Sequence, residues 1–439
     1  MKAYFHGWRR LYQNSSRWFW LSFLCLGCST LRMGMDHFDP DTFLRDSPIF
    51  STHHTGFALY DFDQKEMLVE HNASLRFTPA SNTKLLTMYA VLNILPDSLP
   101  SLLFSETDTG LHIKPVGDPT FLHSSFRYQP AYELLNSHKR VYLHFTDRLP
   151  QYGTGWAWDD YLYDFQAEIN WFPIYGNTVH IQKSDSTLKI TPTIFQDSLV
   201  EIEDHAQSKV SRAQFSNVFS ARINLKDTAS FKRTVPFKTS QSLIVKMLSD
   251  TLHSTIILED TAAIAFTDTL FSQPRDEVLS AMLKPSDNFL AEQLLVQCAW
   301  YEGELNTQKF ISKFKNKYLA KSREIVWVDG SGLSRYNLIS PLDLIQVLNR
   351  TIEEEGWDRV ASLLPKGGEG TLENLYKSEV PYIFAKTGTL SNNHNLSGLL
   401  ITRSGRRLLF SLINNHYVRP KREVEKALEA FIAQIRMSY

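Results

Sequence analysis

Three short polar motifs follow one another along this chain: Ser81-Asn82-Thr83-Lys84, Ser286-Asp287-Asn288 and Lys386-Thr387-Gly388-Thr389. If they act together, positions 81, 286 and 386 must meet. Both ends of the chain then share one domain, and the stretch between the first two motifs has to loop out of it. The periodicities agree. Two β-like runs within 56–69 flank a turn at Asp61 to Lys65, and 396–402 pairs naturally with 406–413 across Ser404-Gly405. Residues 380–386 read as one more strand. After Ser81, Leu85, Met88, Leu92 and Leu95 recur at helical spacing until Pro96 ends the run. Residues 286–300, 306–321 and 420–437 also read as helices, the last with Val424, Leu428, Phe431 and Ile435 on its apolar face. The expected fold is α+β, with two N-terminal and three C-terminal strands in one sheet, built from residues 51–99 and 272–439. Residues 100–271 are rich in turns and short alternating runs, with one helical pattern at 240–252, and read as a β-rich insertion.

Composition narrows the class. Four of the 46 basic residues fall within 1–28, which hold no acid, and the remaining 42 against 47 acidic residues leave −5. That balance, without a basic stripe, excludes a nucleic-acid binder. A basic segment ending at Arg17 precedes an apolar run, 18–26, too short to span a bilayer, so 1–28 reads as an export signal. It closes on Leu24-Cys25-Leu26-Gly27-Cys28, which resembles a bacterial lipobox with Cys28 as the lipidated residue, although Cys25 stands where leucine is usual. Ordinary cleavage nearby is the alternative. Residues 29–50 read as a polar linker. With the signal removed and Cys28 capped only Cys298 remains, so no disulfide is expected, and its place in an apolar helical pattern makes it a core residue. No Cys/His/carboxylate spacing among the 14 histidines predicts a metal site, no cofactor is expected, and His53-His54 reads as an exposed pair.

A serine hydroxyl is a weak nucleophile at neutral pH and needs a base beside it. Ser81 and Lys84, three apart at a helix start, share a face, and a desolvated lysine can serve as that base. The pattern recurs at Ser186–Lys189, where an alternating run puts its ends on opposite faces, and at Ser312–Lys315 in a charged helix. Ser286 alone reads as an N-cap. A strand carrying Lys386, Thr387 and Thr389 can grip a terminal carboxylate, with the small Gly388 letting substrate approach the backbone. Lys238-Thr239-Ser240 is a near-match but precedes the second motif.

Order and context together make the set specific. The chain resembles the penicillin-binding D-alanyl-D-alanine carboxypeptidases of the peptidase S13 type, the class C low-molecular-mass group. The blocks Pro79-Ala80-Ser81, Gly117-Asp118-Pro119-Thr120, Trp156-Ala157-Trp158-Asp159-Asp160, Ser286 to Glu292, Asp329-Gly330-Ser331-Gly332-Leu333-Ser334 and Lys386 to Leu390 carry the likeness. It implies a β-lactamase-like domain, an antiparallel five-stranded sheet with helices on both faces, interrupted by a large insertion. It also implies a peptidoglycan stem peptide as substrate, β-lactams as covalent inhibitors, and a site in the periplasm or envelope. Ser81 would be acylated, Lys84 would take its proton, and Ser286 and Asn288 would bridge the proton network. Lys386, Thr387 and Thr389 would hold the terminal carboxylate, and the N–H groups of Ser81 and Thr389 the oxyanion. Cleavage of D-alanyl crosslinks would be a second reaction. Asp118 reads more simply as a turn residue, Trp156 and Trp158 as core, and Gly330 and Gly332 as a tight turn. A β-lactamase and an inactive wall-binding lipoprotein are the alternatives. The first would turn penicillin over rapidly, and the second would not acylate.

Overall fold

An antiparallel sheet joins strands from residues 54–71 to strands from residues 383–415. In the computed structural model the described residues are 38–439, except 146–148, 185–186, 205–207, 225–230, 260–263 and 321–323. The export signal with Cys25 and Cys28, and the decoy Ser186, lie outside them.

The strand order is Ile383–Leu390, Asn393–Ile401, Arg407–Asn415, His54–Asp61 and Glu66–His71, with every neighbour antiparallel. The expected two-plus-three sheet is therefore present. Alternation along Arg407–Asn415 builds two cores at once. Leu408, Phe410 and Leu412 pack with Leu428, Phe431 and Ile435 of the C-terminal helix Lys421–Ser438, whereas Leu409 and Ile413 join helices on the other face. Those helices include Lys84–Ile94, Asn288–Tyr301 and Pro341–Glu355. The last starts with a reciprocal capping box between Ser340 and Asp343 and a first-turn proline.

Residues 38–50, read as linker, instead fold onto this domain. Helix Pro40–Asp46 is capped by Asp39, and Phe43 and Phe50 pack against Phe431. A polar average concealed these spaced aromatics.

The strands Ser98–Thr107 and Asp268–Pro274 pair with each other where the chain leaves and re-enters. They belong to a second five-stranded sheet, followed inward by Gly110–Pro115, Arg140–Leu143 and Thr255–Leu258, the last three mutually parallel. Two three-stranded sheets complete the lobe, which has its own apolar core around Phe172, Phe195, Phe219 and Phe237. The near-match Lys238-Thr239 belongs here. It grips a carboxylate of the protein itself: Lys238 Nζ lies 3.1 Å from Glu168 Oε1, and Thr239 donates to Oε2 from N (2.6 Å) and Oγ1 (2.8 Å).

Candidate active site

Phe77 to Ala80 lead into a tight turn. Residues Ala80–Thr83 form a 3₁₀ turn that runs directly into helix Lys84–Ile94, and Ala80 holds a left-handed φ of 48°. Buried amides tie this entry to the sheet. Asn395 and Asn415 both donate to Thr78 O, at 3.0 and 2.9 Å, and Asn82 donates to Ser397 Oγ at 2.8 Å. Gly388 sits on the facing strand, where a Cβ would run into Pro79 O and lie 3.0 Å from Asn82 N. Its missing side chain admits the nucleophile turn rather than the substrate.

Ser81 is half-buried; Lys84, on the same face, is fully buried. The Lys84 ammonium donates to Ser81 Oγ at 3.0 Å, Asn288 Oδ1 at 2.7 Å and Ser331 O at 2.8 Å. Burial pulls its pKa down to about 8, opposed by Glu292, Asp287 and Asp329. An amine that is neutral in part near neutral pH, held against a hydroxyl, is the arrangement for proton abstraction. Asn288 is fixed in turn by donating to Phe165 O at 3.0 Å.

Ser286 is not the cap of the second helix. Asp287 caps it, accepting from Leu290 N at 2.9 Å, and Ser286 stands one residue outside with φ 68°. That strained placement leaves its hydroxyl for Lys386, whose Nζ donates to Ser286 Oγ at 2.8 Å and to Thr387 O at 2.9 Å. Lys386 is fully buried, and burial together with the nearby Lys84 charge pushes its pKa well down. An arriving carboxylate would oppose both effects.

Strand Ile383–Leu390 is the edge of the sheet. Ala385 N–H points outward, to Pro365 O at 2.9 Å, and strand alternation directs the N–H groups of Thr387 and Thr389 the same way. Ser81 N–H lies in a first helical turn, which offers it no intrahelical acceptor. Thr389 is exposed and lines a cleft of about 670 Å³ with Ser81, Ser286, Asn288 and Phe165. Thr387 is largely buried, and its hydroxyl donates to Thr371 Oγ1 at 2.8 Å, while that of Thr389 lies 3.0 Å from His394 Nδ1.

The segment after Asp329 contributes what the motifs do not announce. Glu292 accepts from Gly330 N (3.0 Å) and Ser331 N (2.7 Å), and Asp329 accepts from Gly332 N (2.9 Å) and Ser334 N (2.6 Å). These bonds aim Ser331 O at Lys84. Burial and Asp329 raise the Glu292 pKa. A carboxylate five residues after Asp287, on a helix with no other charged side chain, is the one available signal. Trp156 is half-buried and donates to Asp329 Oδ2 at 2.9 Å, whereas Trp158, expected in the core, is 74% exposed. Asp118 forms its turn, accepting from Thr120 N at 3.0 Å, and Cys298 is buried in the core. His53 and His54 are half-buried rather than exposed, and His54 stacks on Phe77. The decoy Lys315 donates to Ile325 O, away from any catalytic constellation.

A crystal structure of penicillin binding protein 4 (dacB) from Haemophilus influenzae superposes with a TM-score of 0.71 at 20% identity, covering 88% of this chain and 96% of that one. A predatory peptidoglycan endopeptidase from Bdellovibrio bacteriovorus gives 0.53 at 16% identity, over 87% and 92%. These likenesses establish the fold. In sequence, the chain is 30% identical over 164 residues to the D-alanyl-D-alanine carboxypeptidase DacB of H. influenzae. It is 32% identical over 161 residues to the carboxypeptidase DacB of Mycolicibacterium smegmatis. Each alignment spans about a third of this chain and a third of the relative. The family model of the D-Ala-D-Ala carboxypeptidase 3 (S13) family matches residues 39–435, nearly all of the described fold, and it is to this family that the chain belongs.

Proposed function

We propose that the chain is a serine D-Ala-D-Ala carboxypeptidase of the bacterial envelope, hydrolysing peptidoglycan stem peptides through an acyl-enzyme on Ser81. The observation that carries this reading is the fully buried Lys84 amine, 3.0 Å from Ser81 Oγ and brought down to about 8. Ser81 Oγ attacks the carbonyl of the penultimate D-alanine while Lys84 takes its proton. The oxyanion accepts from Ser81 N–H and Thr389 N–H. The C–N bond then breaks, the proton passes to the departing D-alanine amine through Lys84 and Ser286, and water hydrolyses the ester. Lys386 and Thr389, with the Thr387 backbone, hold the substrate carboxylate. A β-lactam carbonyl meets the same groups, and a relative of the same fold has been crystallised with a β-lactam. In this reading residues 1–28 direct export and a lipid on Cys28 tethers the protein. No helix among the described residues is long and apolar enough to cross a membrane.

Mass spectrometry after penicillin treatment tests the assignment. One adduct on Ser81 is expected, lost in Ser81→Ala and kept in Ser312→Ala. An adduct elsewhere, or none together with no D-alanine release from a stem-peptide mimic, overturns it. Rapid release of hydrolysed penicillin would favour the β-lactamase reading. A D-alanyl-crosslinked dimer measures endopeptidase turnover separately.

A further inference from the structure

Outside the residues that line the cleft, three adjacent parallel strands of the inserted lobe bring two histidines and a glutamate together. His112 lies on Gly110–Pro115, His144 follows Arg140–Leu143, and Glu259 follows Thr255–Leu258. Backbone bonds fix the strand ends: His144 N donates to Ile113 O at 2.9 Å, and Glu259 N to Leu143 O at 3.1 Å. Both imidazoles are buried, with side-chain exposures of 6% and 3%.

The three ligand atoms form a near-regular triangle. His112 Nδ1 and His144 Nε2 are 3.0 Å apart, and Glu259 Oε2 is 3.6 Å from the first and 3.4 Å from the second. Zinc bonds of about 2.0–2.1 Å in tetrahedral geometry set ligand atoms about 3.3–3.4 Å apart, which is the mean of these edges. Hydrogen bonding accounts for the cluster poorly. Two neutral imidazoles facing nitrogen to nitrogen share at most one proton, and the carboxylate then has no donor. Glu259 Oε2 is indeed buried without a hydrogen-bond partner, although 36% of the side chain reaches solvent. Three converging ligand atoms, one of them an orphaned carboxylate oxygen, call for a cation.

The outer groups suit the same role. His112 Nε2 lies 3.4 Å from Thr109 Oγ1, which would hold the tautomer that frees Nδ1, and Tyr142 stacks on the ring at 4.5 Å. The solvent-facing side of Glu259 leaves room for a water as fourth ligand.

We infer that His112, His144 and Glu259 form a divalent transition-metal site, best suited to Zn²⁺ by its two-imidazole, one-carboxylate donor set, that clips three strands of the inserted lobe together. The test is calorimetric titration of the purified, chelator-treated full chain with zinc chloride, alongside Glu259→Gln and His112→Asn/His144→Asn. One equivalent of zinc should bind and raise the melting temperature. Loss of a direct ligand in Glu259→Gln should weaken zinc at least about tenfold, since even outer-shell changes cost that much. The double variant should lose the site. Cobalt should give the intense visible bands of a four-coordinate site in the wild type alone. Glu259→Gln retains its fold if it melts like the wild type in chelator, so its result stands should the double variant misfold. Absence of stoichiometric zinc, or equal affinity in Glu259→Gln, overturns the inference and leaves a proton as what holds the cluster.

Discussion

Gly332 crosses Ala80 so closely that a Cβ on it would run into the Ala80 carbonyl oxygen, and its φ of 81° already excludes most side chains. Ala80 itself holds a φ of 48° one residue before Ser81. The loop that presents Ser331 O to Lys84 is therefore seated directly on the nucleophile turn. Gly332→Ala must push the two apart. We expect stability to fall by roughly 2–4 kcal/mol and acylation by labelled penicillin to slow at least about a hundredfold. Unchanged acylation in the folded variant would show that the close approach does not position Ser81.

The pH dependence of acylation should report Lys84. Its folded pKa lies at about 8, below the ordinary 10.5, chiefly through burial. The neutral amine is the base, so the rate should rise about tenfold per pH unit below about 8 and level off above it. Stopped-flow acylation checks this, and a rate falling across that range contradicts the assignment. Lys84→Met should cost roughly a thousandfold in rate.

Glu168 should matter for stability and not for chemistry. Its side chain is 1% exposed and accepts from Gln151, Tyr152, Lys238 and Thr239. Glu168→Ala leaves those donors unmatched and should cost roughly 3 kcal/mol in urea unfolding. Lys238→Ala, with a side chain 30% exposed, should cost only about 1 kcal/mol. Both folded variants should acylate at the wild-type rate; a slowed Lys238→Ala would mean that the near-match takes part after all.

Arg275 terminates the nucleophile helix from outside it. Arg275 is 7% exposed, and its guanidinium donates to Leu92 O at 3.2 Å, to Leu95 O and to Asp97. A cation at this end satisfies orphan carbonyls and complements the helix dipole. Arg275→Met should lower stability by about 2 kcal/mol and shift the urea midpoint without changing the slope.

Much of the fold was legible because it is local. The hairpins declared themselves through alternation, the helices through apolar spacing, and Ser81 with Lys84 through being one helical turn apart. Other features resisted because the deciding contacts are remote. Ser286 reads as an N-cap until Asp287, adjacent to it, takes the role. The hydroxyl of Thr387 has a partner in Thr371, sixteen residues back, that no local pattern announces. The tryptophans share one short segment, yet Asp329 receives one and solvent the other. Trp158 shows that hydrophobicity alone does not choose a side of the surface.

The order of the motifs, the type of each element and the nucleophile–lysine spacing are properties of the chain itself, set by backbone periodicity over a few residues. Tertiary structure alone decided what those groups do. The partners of Lys84 at Asn288 and Ser331 are 204 and 247 residues away, and its lowered pKa exists only because the packed domain removes water from it. The same holds for His112, His144 and Glu259, which no spacing connects and which three neighbouring parallel strands bring within ligand distance. Desolvation and convergence are properties of a packed interior, so a list of residues cannot contain them.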